Sequence, residues 1–313
     1  MKILIMGAGT IGLYYGARLR QAGEDVVFCA RGNNLRMIQA RGVEVKSISG
    51  DFSLPVVTAT SEPGNFAPYD LILFCVKSYH TEEAARQIAG FLKSGAAVMT
   101  IQNGVENESA LQRILGDNAV MSGNARIFAD MTGPARIVHT GMGYIDFGEL
   151  NGEITARARS YGEAFQRAGI LGELVTNIWD RRWEKLMSNN ALNSVTTITG
   201  RNLGALYDDQ DSLSLIRSLM AETISVARAE GAKISEERID WLLNYVNRNL
   251  RDSNSSTLQD LKRGRRLEYD AICGAVIRAA RRHGIAVPIT EAIYILLKML
   301  DPAESVEMRG QLT

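Results

Sequence analysis

Cysteine is scarce in this chain. Its three cysteines, Cys29, Cys75 and Cys273, are odd in number and far apart. That count excludes a disulfide framework, and no spacing among them suits zinc. Reduced, packed thiols in a cytoplasmic protein are the expectation. Net charge is lacking too, since Lys+Arg and Asp+Glu both number 35. A neutral chain is a poor dedicated binder of nucleic acid or of an anionic membrane. No apolar run approaches the ~20 residues of a membrane span. The start, one lysine and then a strand-like run, does not read as a signal peptide. Repeats and low-complexity segments are absent. What remains is a chain of 313 residues, 46% hydrophobic, with a length that suggests about two domains.

The most informative stretch is Gly7-Ala8-Gly9-Thr10-Ile11-Gly12. It follows the apolar run Ile3-Leu4-Ile5-Met6 and opens a helical pattern over residues 11–19. Strand, tight glycine turn and helix in that order build a dinucleotide site. The first glycine allows the turn, the second admits a phosphate to the backbone, and the third lets helix pack on strand. The phosphate then meets unpaired N–H groups and the positive end of the helix dipole.

The run 26–30 reads as a second strand ending at Arg31, with Asn33, Asn34 and Arg36 just beyond. An acidic residue there would hold the adenosine ribose hydroxyls. A guanidinium instead suits a ribose 2′-phosphate, so NADP is favoured over NAD. Residues 43–47 and 52–58 alternate and suggest a hairpin-like excursion. Residues 71–76 form a near-continuous apolar run, the mark of a buried parallel strand, and Lys77 follows it. Thr81 is a suitable cap for the next helix. Residues 96–101 give another strand, ending in Gln102-Asn103-Gly104. Ligands bind beyond the carboxyl ends of such strands, which places Lys77 and Asn103 at the ligand edge. Residues 119–147 look like extra strands on the sheet edge. His139 lies there with no ligand-spaced partner, so a structural role is expected and no metal. A helix over 155–168 and a last strand over 171–176 close a first domain, 1–176.

From 177 to 313 the pattern is helical. The helix over about 178–198 carries Lys185, Asn189 and Asn193, each four residues from the next. At 3.6 residues per turn they share one face. Amid Trp179, Trp183, Leu186 and Met187 that polar stripe is costly to bury, which points to a polar cleft. The run 252–257 is rich in hydroxyls. The basic run Lys262-Arg263-Gly264-Arg265-Arg266 reads as a solvated face paired with local acids. The terminal helices are apolar enough to serve a homodimer or to complete the core.

Together these residues resemble the ketopantoate reductase (2-dehydropantoate 2-reductase) family. The resemblance runs from the glycine turn through Val76-Lys77, Gln102-Asn103-Gly104 and Trp183 to Asn189 with Asn193. It continues through Ser255-Ser256-Thr257-Leu258-Gln259-Asp260, Glu268, and His283-Gly284-Ile285-Ala286-Val287-Pro288. It implies an α/β fold: a Rossmann-type doubly wound sheet followed by an all-α C-terminal domain like that of 6-phosphogluconate dehydrogenase. It implies NADPH-dependent reduction of 2-dehydropantoate to (R)-pantoate, a step toward pantothenate and coenzyme A. By resemblance Lys185 is the general acid and Glu268 supports it. Asn103, Asn189, Asn193 and Ser256 bind the small 2-oxo acid. Gly7, Ala8, Gly9, Thr10, Ile11, Gly12, Arg31, Lys77, Asn103 and Glu268 contact the cofactor. Asn190 is a departure, standing where the family commonly has small or apolar residues.

The chemistry is coherent. Hydride arriving at a ketone carbon builds charge on its oxygen, which a lysine in a half-dry site stabilises and protonates. Asparagine amides and a serine hydroxyl supply donors for the substrate carboxylate. The rival expectations are a related reductase of another small 2-oxo acid and a non-catalytic NADP-binding sensor.

Overall fold

A computed structural model describes residues 1–304. Residues 305–313, the end of the expected helical domain, lie outside the described residues. The chain divides into two compact units. One comprises Met1–Gln102 with Asn107–Ile178, and the other Asn103–Glu106 with the chain from Trp179 onward.

The first unit is built on one nine-stranded sheet. Its strands are β1 Lys2–Met6, β2 Asp25–Cys29, β3 Val43–Ser47, β4 Phe52–Leu54, β5 Thr58–Thr60, β6 Tyr69–Phe74, β7 Leu92–Thr100, β8 Val120–Gly133 and β9 Arg136–Glu149. Their order is β4-β3-β9-β8-β7-β6-β1-β2-β5. The six strands from β5 to β8 run parallel, β9 runs back along β8, and β4 runs back along β3.

The apolar runs of β1 and β6 follow from burial on both faces. Ile3 and Ile5 join Leu71 and Leu73 in a core shared with Leu13 and Phe165, from the helices Thr10–Gln21 and Ala156–Arg167. Leu4, Met6, Ile72 and Phe74 face the other way, onto Ala84, Ile88 and Leu111 of the helices Thr81–Ile88 and Asn107–Leu115. Alternate residues therefore enter different cores, and both must be apolar.

Three local expectations need correction. The segment 52–58 divides: β4 pairs with β3, whereas β5 crosses to the opposite edge and pairs with β2. Residues 171–176 form no strand, only two bridges, Leu171 to Tyr144 and Leu174 to Phe147. Thr81 is not a cap. It is the first residue of its helix, and its hydroxyl donates to Asn107 Oδ1 at 3.0 Å.

Among its described residues the second unit contains no strand. Helix Gln210–Ala229 buries Ile216, Leu219, Met220 and Ile224, a helical spacing, and Asp209 caps it by accepting from Ser212 N. Helices Ala275–His283 and Pro288–Leu300 pack against it, and its Arg217 pairs with Asp240 of helix Glu237–Asn249 at 2.6 Å. Among the described residues no helix is long and apolar enough to cross a membrane.

Candidate functional site

The candidate cofactor residues of the first unit lie at the carboxyl edge of the parallel strands. Met6 is in register with Cys29 of β2 and with Phe74 of β6, and Phe74 with Thr100 of β7. The turn after β1, Arg31 after β2 and Lys77 after β6 therefore leave the same edge. Strand β1 has β2 on one side and β6 on the other, so the strand order reverses there. That is where open α/β sheets bind ligands.

The three glycines of the turn differ in what requires them. Gly7 has φ +102°, and a Cβ would lie 2.8 Å from Val76 N. A Cβ on Gly12 would collide with Gly7 O. Gly9 has extended backbone, φ −78° and ψ −167°, and no atom beyond its chain neighbours lies within 4 Å of where its Cβ would be. Nothing in the chain itself demands glycine at position 9. It precedes the first turn of helix Thr10–Gln21, whose leading N–H groups have no intrahelical acceptor. These features fit a pyrophosphate resting on the turn.

Arg31 ends β2's extension and precedes helix Gly32–Arg41. Its Nη1 donates to Glu83 Oε1 at 3.0 Å, and both side chains are exposed. Glu83 also lies 3.4 Å from His80 Nδ1. Asn34 behaves differently from its neighbours. Its Nδ2 donates to Ala8 O at 2.6 Å and its Oδ1 accepts from Ala135 N at 2.9 Å, so it clamps the glycine turn from behind. Lys77 is half-buried. The carbonyl before it, Val76 O, accepts from Gln102 Nε2 at 2.9 Å, and that amide also donates to Thr81 Oγ1 at 2.8 Å. Gln102 thus ties the end of β7 to the loop after β6.

His139 is 1% exposed. Its Nδ1 faces Ser47 Oγ at 2.8 Å and Tyr14 Oη at 3.2 Å, and its Nε2 faces the carbonyls of Gly141 and Met142 at 3.1 Å. Carbonyls only accept, so Nε2 carries the proton. The ring is fully engaged in a structural role. Among the described residues no group of three or more His, Cys, Asp or Glu is placed to hold a metal ion.

In the helical unit Lys185 sits in helix Ile178–Ser188, half-buried beside the buried Trp183, Leu186 and Met187. The helix does not continue unchanged. Asn189–Asn193 forms a π-helical turn before α-helix resumes at Ser194–Thr199. Such single wide turns concentrate at functional sites. Asn189 Nδ2 reaches Asn103 Oδ1 at 3.4 Å, joining residues far apart in sequence.

A second π-helical turn, Asp270–Gly274, follows two residues after Glu268 and touches the first. Ser194 Oγ meets Cys273 Sγ at 3.4 Å across that contact. Glu268 itself is 7% exposed. Ser255, not Ser256, is the cap of helix Ser256–Lys262, and its hydroxyl accepts from Thr196 Oγ1 at 2.7 Å. Ser256 is thereby left at the exposed first position of a helix that touches the π-helical turn Asn189–Asn193. Three features escaped the sequence: the two π-helical turns and Arg182. Arg182 is 2% exposed, and its Nη2 donates to Gly104 O at 2.6 Å. Three charged residues, Asp180, Arg181 and Arg182, stand between Trp179 and Trp183, and nothing in their order marks Arg182 as the buried one.

The chain matches the family described as "Ketopantoate reductase PanE/ApbA" over residues 3–152 and "Ketopantoate reductase PanE/ApbA C terminal" over residues 177–301. It is 30% identical over 302 residues to a 2-dehydropantoate 2-reductase of Halobacterium salinarum, covering 96% of this chain and 98% of that protein. It is similar to the crystal structure of 2-dehydropantoate 2-reductase from Geobacter metallireducens GS-15, with TM-score 0.91 and 32% identity over 96% of this chain and 99% of that one. A ternary structure of D-mandelate dehydrogenase with NADH and anilino(oxo)acetate has TM-score 0.91 and 22% identity, covering 97% of this chain and 100% of that one. At that identity the likeness is one of fold.

Proposed function

Because this chain belongs to the ketopantoate reductase PanE/ApbA family in both of its parts, we propose that it reduces 2-dehydropantoate to (R)-pantoate with NADPH, a step toward pantothenate and coenzyme A. It is an oxidoreductase of a family that uses a nicotinamide cofactor and acts on small 2-oxo acids. The bound dinucleotide would supply the hydride. The glycine turn Gly7 to Gly12 would hold its pyrophosphate, Lys77 would contact it, and Arg31 would take the 2′-phosphate in place of Glu83.

In this reading Lys185 stabilises the charge that builds on the ketone oxygen and gives it a proton. Glu268 orients that ammonium and also touches the cofactor, as Asn103 does. The amides of Asn103, Asn189 and Asn193 and the hydroxyl of Ser256 bind the oxo acid. The observation that carries the reading is the half-buried Lys185 one turn ahead of a π-helical turn that presents Asn189 to Asn103.

The test follows NADPH absorbance with a panel of 2-oxo acids, 2-dehydropantoate first. Lys185→Ala is expected to cut turnover by about two orders of magnitude with NADPH binding nearly intact. Unchanged turnover would remove Lys185 from the mechanism. A faster rate on another 2-oxo acid would establish the second reading. Cofactor binding without turnover of any oxo acid would indicate a sensor.

A further inference from the structure

The short loop that carries Asn103 is held by its own unit at three points. Gly104 has φ +93°, and a Cβ there would lie 2.5 Å from Ala271 O. Loop and π-helical turn are thus pressed main chain to main chain. Arg182 Nη2 holds the Gly104 carbonyl. Two residues further on, the carboxylate of Glu106 receives the guanidinium of Arg278. Nε lies 3.1 Å from both carboxylate oxygens, and Nη2 is 2.6 Å from Oε2.

The same guanidinium reaches the first residue of that π-helical turn. Nη1 donates to Asp270 Oδ1 at 2.9 Å and Nη2 to Asp270 O at 2.9 Å. Tyr294 Oη steadies that carboxylate at 3.3 Å. Gly274 makes room: a Cβ there would sit 2.6 Å from Asp270 Oδ1 and 3.0 Å from Arg278 Nη1. All three guanidinium nitrogens are therefore used, in the planar fork that only arginine offers.

The Arg278 and Glu106 side chains remain 40% and 37% exposed. A pair so open to solvent adds little to stability. Its contribution is geometric. We propose that Arg278 is a positioning residue: it ties Glu106 to Asp270, and so fixes Asn103 and the segment opened by Glu268 in one arrangement. The inference rests on the reading that Asn103 and Glu268 serve the reduction.

The test combines hydrogen exchange with kinetics on the full-length protein. Arg278→Ala should speed amide exchange at residues 103–106 while the melting temperature barely moves. It should lower kcat for 2-dehydropantoate about ten- to hundredfold and raise the Kd for NADPH by a smaller factor, because Asn103 and Glu268 also meet the cofactor. Arg278→Lys keeps the charge without the fork and should recover only a minor part of that loss. Combining Glu106→Ala with Arg278→Ala should cost no more than either alone. Unchanged exchange at 103–106 overturns the strut whatever the reaction is. Faster exchange with unaltered kcat overturns the positioning role. Faster exchange in a protein that reduces no 2-oxo acid supports the strut and removes the proposed reaction instead.

Discussion

A Cβ on Gly12 would stand 2.2 Å from the carbonyl oxygen of Gly7, whereas one on Gly9 would touch nothing. The two positions therefore separate folding from binding. Gly12→Ala should cost about 1–3 kcal/mol through overpacking against main chain that cannot yield. Gly9→Ala should leave stability within about 0.5 kcal/mol and weaken NADPH by about tenfold or more. Denaturant midpoints and a fluorescence titration measure the two effects. Equal NADPH affinity in Gly9→Ala and wild type would remove the pyrophosphate from the turn.

Arg31 pairs with Glu83 in the open, where solvent screening leaves such a pair little strength. The Arg31 hydrogen bond and charge hold the Glu83 carboxyl below its ordinary range. A phosphate dianion can displace so exposed a partner. Arg31→Ala should weaken NADPH about tenfold and NADH less than twofold, because only NADPH carries the 2′-phosphate. Glu83→Gln should tighten NADPH slightly. Parallel losses for both nucleotides would take Arg31 out of phosphate recognition.

Asn190, fully buried, lies within the first π-helical turn. Its Nδ2 donates to Thr223 Oγ1 at 3.0 Å and to Thr290 Oγ1 at 3.2 Å. Both hydroxyls already donate elsewhere, to Leu219 O and to Glu222 Oε2. Removing the amide therefore orphans no donor. Asn190→Ala should destabilise by about 2 kcal/mol, mostly through the hole it leaves. Asn190→Leu, which keeps the volume, should cost less. Urea titration of both variants decides, and a larger loss for leucine would contradict this account.

Acid stability should depend on Glu149 and His139. Burial raises the Glu149 pKa, but the hydrogen bonds from Arg157 and Thr155 and the Arg157 charge outweigh it, so the carboxyl lies below its ordinary 4.5. Burial likewise holds His139 below its ordinary 6.5, against the hydrogen bonds to Met142 and Gly141. In both cases the unfolded chain takes up protons first. The stability each gives is complete above the unfolded value and is lost as pH falls through the folded one. Glu149→Gln should flatten the stability profile below pH 4.5, and His139→Gln the profile below pH 6.5. Denaturation midpoints across pH 3–8 test this, and profiles parallel to wild type would count against both assignments.

The sequence by itself determined what depends on near neighbours. The β1 run, the glycine turn and the helix after it are local, and so is the apolar run of β6, because burial on two faces leaves no room for a polar residue. The polar stripe Lys185, Asn189, Asn193 was visible for the same reason. Tertiary structure decided the rest. Pairing partners are non-local, so nothing in residues 52–60 revealed that β4 would stay with β3 while β5 crossed to β2. A 3.6-residue period conceals one widened turn, so both π-helical turns were invisible. The strut from Arg278 to Glu106 spans 172 residues. Charge in a sequence has no direction, and only the folded chain brought that guanidinium to that carboxylate.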